Sequence, residues 1–291
     1  MQTNIYHITY TPAQRDVCVH FWGCNFQCRG CYCKQQIYSP MLDFGAVLKG
    51  DSVSSVAQPQ RFLSLAEVEA VLSELEFDSV VMEGQEASLD PAYSLFTEML
   101  HERFNAKVTL VTNAMELPDL AHTDTIEVGI KALDDNLHRD FTGVSNQQTL
   151  KNLDKLIAMH KNVVIDTVLI PDYIDASEIE SIAKYIAARD PNIPFILLPY
   201  FQVGDNHWRR PTIEEMDNTA DLVKKHIKRV FHFRGDEELN HPLYNVFPID
   251  AQPLTSKEPE GVKWLTRING LNPRPKLRFP EIVNNEERFL S

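Results

Sequence analysis

Apolar segments bounded by polar turns alternate along most of the chain with segments of helical periodicity. Strands are predicted near residues 16–22, 79–83, 107–112, 125–131, 162–170 and 194–200, and helices over residues 64–75, 92–103, 147–160, 176–188 and 213–228. The first helix begins with Ser64-Leu65-Ala66-Glu67, which has the form of a capping box. Because strands and helices alternate, we predict an α/β fold, a partial (β/α)6 TIM-like barrel around a parallel sheet.

The pattern changes after Gly235. Prolines recur from Pro242 to Pro280 and would interrupt any long helix or central strand. We therefore predict a barrel over residues 1–235 and an irregular C-terminal extension over residues 236–291 that helps to bind substrate or cofactor. Residues 34–62, rich in proline, glycine and serine, predict a long loop that covers the site or a partner surface.

Composition narrows the class of protein. The chain has 291 residues, 43% of them hydrophobic, which is enough for one large core. No run of 18 apolar residues predicts a membrane span, and Met1-Gln2-Thr3-Asn4 lacks the basic and apolar parts of a signal peptide. The formal net charge of −13 disfavours a nucleic acid as partner. We expect a cytoplasmic protein that contacts neither membrane nor nucleic acid.

Cysteines supply the strongest chemical signal. Cys24, Cys28 and Cys31 follow the first predicted strand at a C-x3-C-x2-C spacing, and no cysteine occurs after Cys33. Three thiolates on one loop can hold three irons of a [4Fe-4S] cluster and leave the fourth iron open to another ligand. A structural zinc site needs a fourth ligand, which Cys33 or His20 would have to supply from a cramped loop. The spacing favours the iron-sulfur cluster.

Several segments resemble radical S-adenosylmethionine (SAM) enzymes, and in particular the activases of glycyl-radical enzymes such as pyruvate formate-lyase and anaerobic ribonucleotide reductase. The resemblance covers roughly residues 16–204. The matching segments are Cys28-Arg29-Gly30-Cys31-Tyr32, Gly84-Gln85-Glu86-Ala87, Thr112-Asn113-Ala114, Ile130-Lys131-Ala132, the run from Lys131 to Asn146, Val168-Leu169-Ile170-Pro171 and Leu197-Leu198-Pro199-Tyr200. They follow one another in the order that the family has after successive strands.

This resemblance implies a barrel of the radical SAM type, a [4Fe-4S] cluster and SAM as cofactor. The implied metal ligands are Cys24, Cys28 and Cys31, and the implied SAM-binding residues are Gly84, Glu86, Thr112, Asn113 and Lys131. Glu86 would accept from the SAM ammonium and Lys131 would pair with its carboxylate. The family's cofactor yields a 5′-deoxyadenosyl radical after reduction, so the expected partners are a protein or peptide substrate and an electron donor such as flavodoxin or ferredoxin.

The chain departs from the activase pattern on the side that faces the substrate. Val111 and Gly129 stand where several activases have aspartates that hold a monovalent cation. Asp166 and Phe201 stand where pyruvate formate-lyase activases have an arginine and a histidine. Residues 34–62 contain no cysteine for additional clusters. We therefore expect one cluster and a rebuilt substrate side, and we assign no catalytic side chain.

Two alternatives to an activase-like enzyme remain open. A radical SAM C-methyltransferase or other peptide-modifying enzyme would use residues 236–291 to hold cobalamin or substrate, although the chain lacks the Asp-x-His-x-x-Gly motif of common cobalamin domains. A noncatalytic iron-sulfur or zinc module would bind partners only. Such a module would not bind SAM. It would therefore not need Glu86 and Lys131 at the ends of the strands that follow the cysteine loop.

Overall fold

The computed structural model describes residues 1–34, 58–203, 206–235, 241–248 and 275–276. Its strands are β1 Ile5–Thr11, β2 Asp16–Phe21, β3 Ser79–Gly84, β4 Lys107–Thr112, β5 Thr125–Gly129, β6 Val163–Leu169, β7 Phe195–Pro199, β8 Val230–His232, β9 His241–Pro242, β10 Tyr244–Phe247 and β11 Pro275–Lys276. Its helices are α1 Leu65–Leu72, α2 Tyr93–Phe104, α3 Asp135–Thr142, α4 Gln147–Ala158, α5 Ala176–Ala187 and α6 Ile213–Lys224.

One sheet of nine strands dominates the molecule, in the order β10-β1-β2-β3-β4-β5-β6-β7-β8. Strands β2 to β8 pair in parallel, whereas β1 pairs antiparallel with both β2 and β10. Among the strands that the structure describes, the outer two, β8 and β10, do not pair with each other. The predicted partial barrel is confirmed, and strands β1, β8 and β10 extend it beyond the six predicted strands.

The two faces of the sheet differ in chemistry. Successive side chains of a strand point to opposite faces. Val80, Met82 and Val128 are fully buried in the hydrophobic core that also contains the apolar faces of the helices. Glu83 and Glu127, which alternate with them, are only partly buried and face the inside of the barrel. Charged groups are therefore concentrated inside the barrel.

Polar side chains cap the N-terminal ends of helices α1 and α5. Ser64 and Glu67 form the expected capping box at the start of α1. Asp175 caps α5 by accepting from the backbone N–H of Ser177 and Glu178. Helix α3 was absent from the predicted elements, because it has only eight residues with few apolar positions. Its last residue is Thr142, and it is capped by Gly143, whose φ of 83° suits glycine.

The C-terminal region contributes at least one strand to the main sheet. Strand β10 pairs with β1 through Ile8 and Phe247, Thr9 and Asn245, and Tyr10 and Tyr244. Most of residues 236–291, like residues 35–57 of the predicted covering loop, lies outside the described residues, so the domain boundary at 235 and the roles of both segments stay predictions. No helix in the described ranges is both long and apolar enough to cross a membrane.

Candidate active site

The cysteine loop leaves β2 at Phe21 and is fixed against the end of α3. The backbone N–H of Gln27 donates to the Thr142 carbonyl at 2.8 Å, and that of Arg29 donates to the Phe141 carbonyl at 3.0 Å. Gly30 packs closely, because a Cβ there would lie 3.1 Å from the Phe141 ring and equally close to the Tyr200 ring. The loop is thus tied to two elements beyond the strand from which it emerges.

Arg29 makes a second anchor for the loop. Its guanidinium pairs with Asp140 and donates to the Tyr173 hydroxyl at 2.8 Å. The same group lies 4.9 Å from the centroid of the Trp208 ring, within cation–π range. These contacts are not predictable from the sequence, since nothing in the spacing of Arg29, Asp140 and Trp208 indicates that they meet.

The three predicted ligand thiols, Cys24, Cys28 and Cys31, all lie on this loop and are half-buried. Burial raises the pKa of the Cys28 thiol to about 12, so metal binding there must displace a proton. A hydrogen bond from the Cys33 thiol lowers the pKa of Cys31. No three His, Cys, Asp or Glu side chains among the described residues already form a metal-binding group. The ligand set stays a prediction.

Glu86 bridges the ends of β3 and β4. Its carboxylate accepts from the Thr112 hydroxyl at 2.6 Å, from the Asn113 backbone N–H at 2.8 Å and from the Ser88 backbone N–H at 3.3 Å. Only 2% of Glu86 is exposed, and this burial raises its pKa. A carboxylate offers about four acceptor positions, so one remains for a ligand ammonium.

Asn113 connects this bridge to the cysteine loop. Its side-chain amide donates to the Asn25 side chain at 2.7 Å and lies 3.6 Å from the Cys24 sulfur. Helix α4 supports the same turn, because the Thr149 hydroxyl donates to the Asn113 carbonyl and the Asn152 amide donates to the Ala114 carbonyl, both at 2.9 Å. The contacts of Thr149 and Asn152 with this turn were not predicted from the sequence.

Gly84 brings the end of β3 into close contact with β2. Its φ is 103°, and a Cβ would lie 2.8 Å from the Phe21 nitrogen and 2.9 Å from the Phe21 oxygen. The backbone N–H of Gln85 donates to the same oxygen at 3.0 Å, and the Gln85 side chain accepts from the Gly23 N–H at 3.1 Å. Gly84 therefore lets β3 approach the start of the cysteine loop.

Gly84→Ala is expected to lower the free energy of unfolding by about 2–5 kcal/mol, because strain at positive φ adds to overlap with backbone atoms that cannot move aside. Gly143→Ala provides a matched control, since its φ is also positive but the nearest atom is 3.7 Å away. That control should lose only about 1–2 kcal/mol. Urea unfolding of the two variants checks this, and equal losses would contradict the close approach at Gly84.

Lys131 lies just beyond the end of β5 and inside the barrel. Its Nζ is 3.6 Å from Asp166 Oδ1. Burial by itself lowers the Lys131 pKa, but the charge of Asp166 and, when they are deprotonated, the charges of the three predicted ligand thiols raise it to about 12. A Cβ at Gly129 would lie 2.5 Å from Nζ. A side chain at 129, such as the aspartate of some activases, would therefore displace Lys131.

A family model described as the radical SAM superfamily matches residues 18–186, more than half of the chain. The chain belongs to the radical SAM superfamily. The match includes the cysteine loop, the Glu86 bridge and Lys131.

Two relatives refine this assignment. A Methanocaldococcus jannaschii protein, provisionally named a glycyl-radical enzyme activating enzyme, is 27% identical over 218 residues, which covers 72% of this chain and 77% of the relative. The pyruvate formate-lyase-activating enzyme of Staphylococcus aureus is 32% identical over 119 residues, 39% of this chain and 47% of the enzyme. The matched region therefore spans less than half of the staphylococcal enzyme.

The solved structures support the fold. Streptococcus suis SuiB superimposes with a TM-score of 0.54 at 16% identity, over 72% of this chain and 47% of SuiB. At this identity the likeness concerns the fold alone.

Membership of the radical SAM superfamily implies a [4Fe-4S] cluster and SAM. The residues present fit both groups in chemistry. The thiols of Cys24, Cys28 and Cys31 are soft, anionic iron ligands when deprotonated, and their charges act on the Lys131 ammonium. Glu86 supplies a buried carboxylate with one acceptor position to spare. The structure thus brings an anion, a cation and three thiols to one end of the barrel.

The predicted site residues lie at the carboxyl ends of four neighbouring parallel strands, and the cysteine loop follows the first of them, β2. Gly84 and Glu86 lie at the end of β3, Thr112 and Asn113 at the end of β4, and Lys131 just after β5. Their binding of SAM stays a prediction. His138, Thr142 and Asn146 hydrogen-bond to backbone carbonyls near α3.

Proposed function

We propose that this protein reductively cleaves SAM at a [4Fe-4S] cluster and abstracts hydrogen from a residue of a partner protein, in the manner of an activase. Support comes from the network that joins Cys24 through Asn113 to Glu86, because it couples the cluster loop directly to the predicted ammonium acceptor. The names of the two curated relatives point to activation of glycyl-radical enzymes.

The chain's own residues would position the cluster and the methionyl group of SAM. Cys24, Cys28 and Cys31 would hold three irons and leave the fourth for the amino and carboxylate groups of SAM. Glu86 would accept from the ammonium, and Lys131 would pair with the carboxylate, so each ligand charge meets its opposite. Thr112 and Asn113 hold Glu86 in place. A zwitterionic methionyl group bound in this way is fixed at both ends.

When bound at Cys24, Cys28 and Cys31, the cluster would supply the single electron for reductive cleavage of SAM, and the cleaved cofactor would supply the radical chemistry that removes hydrogen from carbon. The electron would come from a small donor such as flavodoxin or ferredoxin. The protein itself would orient the cofactor and the substrate and exclude water from the site.

The test combines a product assay with the identification of the hydrogen donor. Anaerobically reconstituted protein is reduced with dithionite, given SAM and a candidate glycyl-radical enzyme, and assayed for 5′-deoxyadenosine by chromatography. We expect 5′-deoxyadenosine, and an oxygen-sensitive glycyl radical on the partner by electron paramagnetic resonance. Deuterium placed on the partner's glycines should appear in the 5′-deoxyadenosine.

Other outcomes contradict the proposal at different levels. A partner that gains one methyl group by mass spectrometry would replace the activase reaction with a C-methyltransferase. Bound zinc with no SAM cleavage would leave only a noncatalytic module that binds partners.

A further inference from the structure

The end of the Lys131 side chain lies in the space that a side chain at Gly129 would occupy. A Cβ built on Gly129 would be 2.5 Å from Lys131 Nζ and 3.2 Å from its Cε atom. The Lys131 side chain therefore folds back toward β5, and its ammonium lies above the backbone of residue 129. Any residue other than glycine at this position would have to move the ammonium.

Asp166 faces the same space from the neighbouring strand. It is in register with Gly129, and the Ile130 N–H donates to the Asp166 carbonyl at 2.9 Å, which joins β5 and β6 at this point. Asp166 Oδ2 would be 3.0 Å from a Cβ at Gly129, and Oδ1 is 3.6 Å from Lys131 Nζ. The carboxylate and the ammonium thus share the space above one glycine.

Asp166 depends on Lys131 for a counter-charge. Only 7% of the Asp166 side chain is exposed, and its Oδ2 atom has no hydrogen-bond partner in the described parts of the chain. A buried charge is costly unless it is paired. Among the described residues, Lys131 is the cation that forms an ion pair with Asp166. The two side chains therefore constrain each other's positions.

Lys131 keeps its hydrogen-bond donors for a ligand. At 3.6 Å the ion pair is longer than the 2.7–3.2 Å typical of N–H···O hydrogen bonds, and the ammonium donates to no other group that the structure describes. The Lys131 side chain is 24% exposed, against 7% for Asp166. The pair therefore presents an ammonium with three N–H donors, rather than a carboxylate, to the accessible interior.

Glu127 is a second carboxyl group within electrostatic reach of this ammonium, two residues before Gly129 on the same face of β5. Burial, followed by the charges of Asp166 and Glu83, raises the Glu127 pKa to about 8, so this carboxyl is mostly protonated at about pH 7. Asp166 is then the ionised partner. Without Asp166, the flexible lysine would be free to turn toward Glu127, because Lys131 favours the ionised form of that group.

We propose that Asp166 is a positioning residue, which holds the Lys131 ammonium above Gly129 so that its free donors meet the carboxylate of SAM. This inference rests on the proposed function, because it assigns Asp166 a part in binding the same cofactor. The two carboxylates would flank one ammonium, and each would lie closer to the cation than to the other carboxylate. Since Coulomb energy falls with distance, attraction exceeds repulsion in this arrangement.

Two ligands that differ only in the carboxylate test this role. Equilibrium dialysis on full-length protein with its cluster measures the affinities for SAM and for decarboxylated SAM, which lacks that group. Asp166→Asn should lower the SAM affinity about fivefold and leave the affinity for decarboxylated SAM unchanged. Gly129→Ala should show the same pattern, because its Cβ takes the place of the ammonium. Thermal unfolding verifies that each variant is folded.

A double-mutant cycle shows whether Asp166 acts through Lys131. Lys131→Met alone should lower the SAM affinity, and adding Asp166→Asn should have no further effect. The same cycle has a readout without any ligand. Lys131→Met should lower the melting temperature, because it leaves a buried carboxylate unpaired, and the added Asp166→Asn should restore part of the loss.

Asp221→Asn is the matched control. Asp221 also pairs with a lysine, Lys224, but the pair is exposed on α6. Removing its charge should change neither the affinity for SAM nor that for decarboxylated SAM.

Several results would overturn the positioning role. One is a folded Asp166→Asn protein that binds SAM as tightly as the wild type, or more tightly. Others are equal losses of affinity for the two ligands, and an undiminished effect of Asp166→Asn when Lys131 is already methionine. If the wild type binds SAM but releases no 5′-deoxyadenosine on reduction, the proposed function is wrong, while the affinity comparison still decides the role of Asp166.

Discussion

Cys28→Ala is expected to abolish cluster binding and, with it, all cleavage of SAM. Only two thiols of the predicted set would remain, too few to hold a cube that leaves one iron open. Because Cys28 is half-buried in a loop fixed to α3, no nearby cysteine can take its place without moving that loop. After anaerobic reconstitution we expect about four irons and four sulfides per wild-type chain, and almost none in the variant.

Cys33→Ala is the matched control, two residues beyond Cys31 on the same loop. Its thiol hydrogen-bonds to Cys31, so its loss changes the surroundings of one ligand without removing any. We expect the cluster absorbance to remain largely intact. Cubane spectra that persist in Cys28→Ala, or disappear in Cys33→Ala, would overturn the ligand assignment.

Glu86→Gln is expected to reduce both stability and SAM cleavage. A glutamine replaces one carboxylate oxygen by an NH2 group, so at least one of the donors from Thr112, Asn113 or Ser88 loses its acceptor. Because Glu86 is buried, the free energy of unfolding should fall by about 1–3 kcal/mol. The missing charge also removes the partner proposed for the SAM ammonium. We expect at least about a tenfold loss of SAM affinity, measured by equilibrium dialysis.

Thr112→Val separates the two effects. It removes the hydroxyl that donates to Glu86 and accepts from the Ala114 N–H, so its stability loss should resemble that of Glu86→Gln. The carboxylate remains in this variant, so SAM affinity should fall by less than it does in Glu86→Gln. Equal loss of affinity in both variants would mean that Glu86 only supports the strand ends and does not bind the cofactor.

Sequence patterns predicted the architecture because they reflect local physics. The helical periodicity of apolar residues, together with capping residues, identified five of the helices, and the apolar runs identified the strands from β2 to β7. Strand β1 was missed, although its residues are buried throughout, because Ile5–Thr11 mixes apolar with polar residues such as His7 and Thr9. Helix α3 was missed because it is short and polar.

The candidate site was predictable only where a motif carries chemistry. The cysteine spacing, Glu86 and Lys131 were found because their positions follow strand ends in a recognisable order. Arg29, Asn152 and the pairing of Lys131 with Asp166 were not found, because these contacts join residues far apart in sequence. Asp166 was noticed as a departure from the activase pattern, but its buried, unpartnered oxygen is a property of the fold.

One spectroscopic measurement tests the central claim most directly. The reduced, reconstituted protein is mixed with SAM that carries nitrogen-15 in its methionyl amino group, and electron–nuclear double resonance is recorded on the cluster signal. If three cysteines leave one iron open for the cofactor, the cluster electron spin should couple to that nitrogen. A cluster signal without nitrogen coupling, or zinc bound in place of iron, would contradict the account.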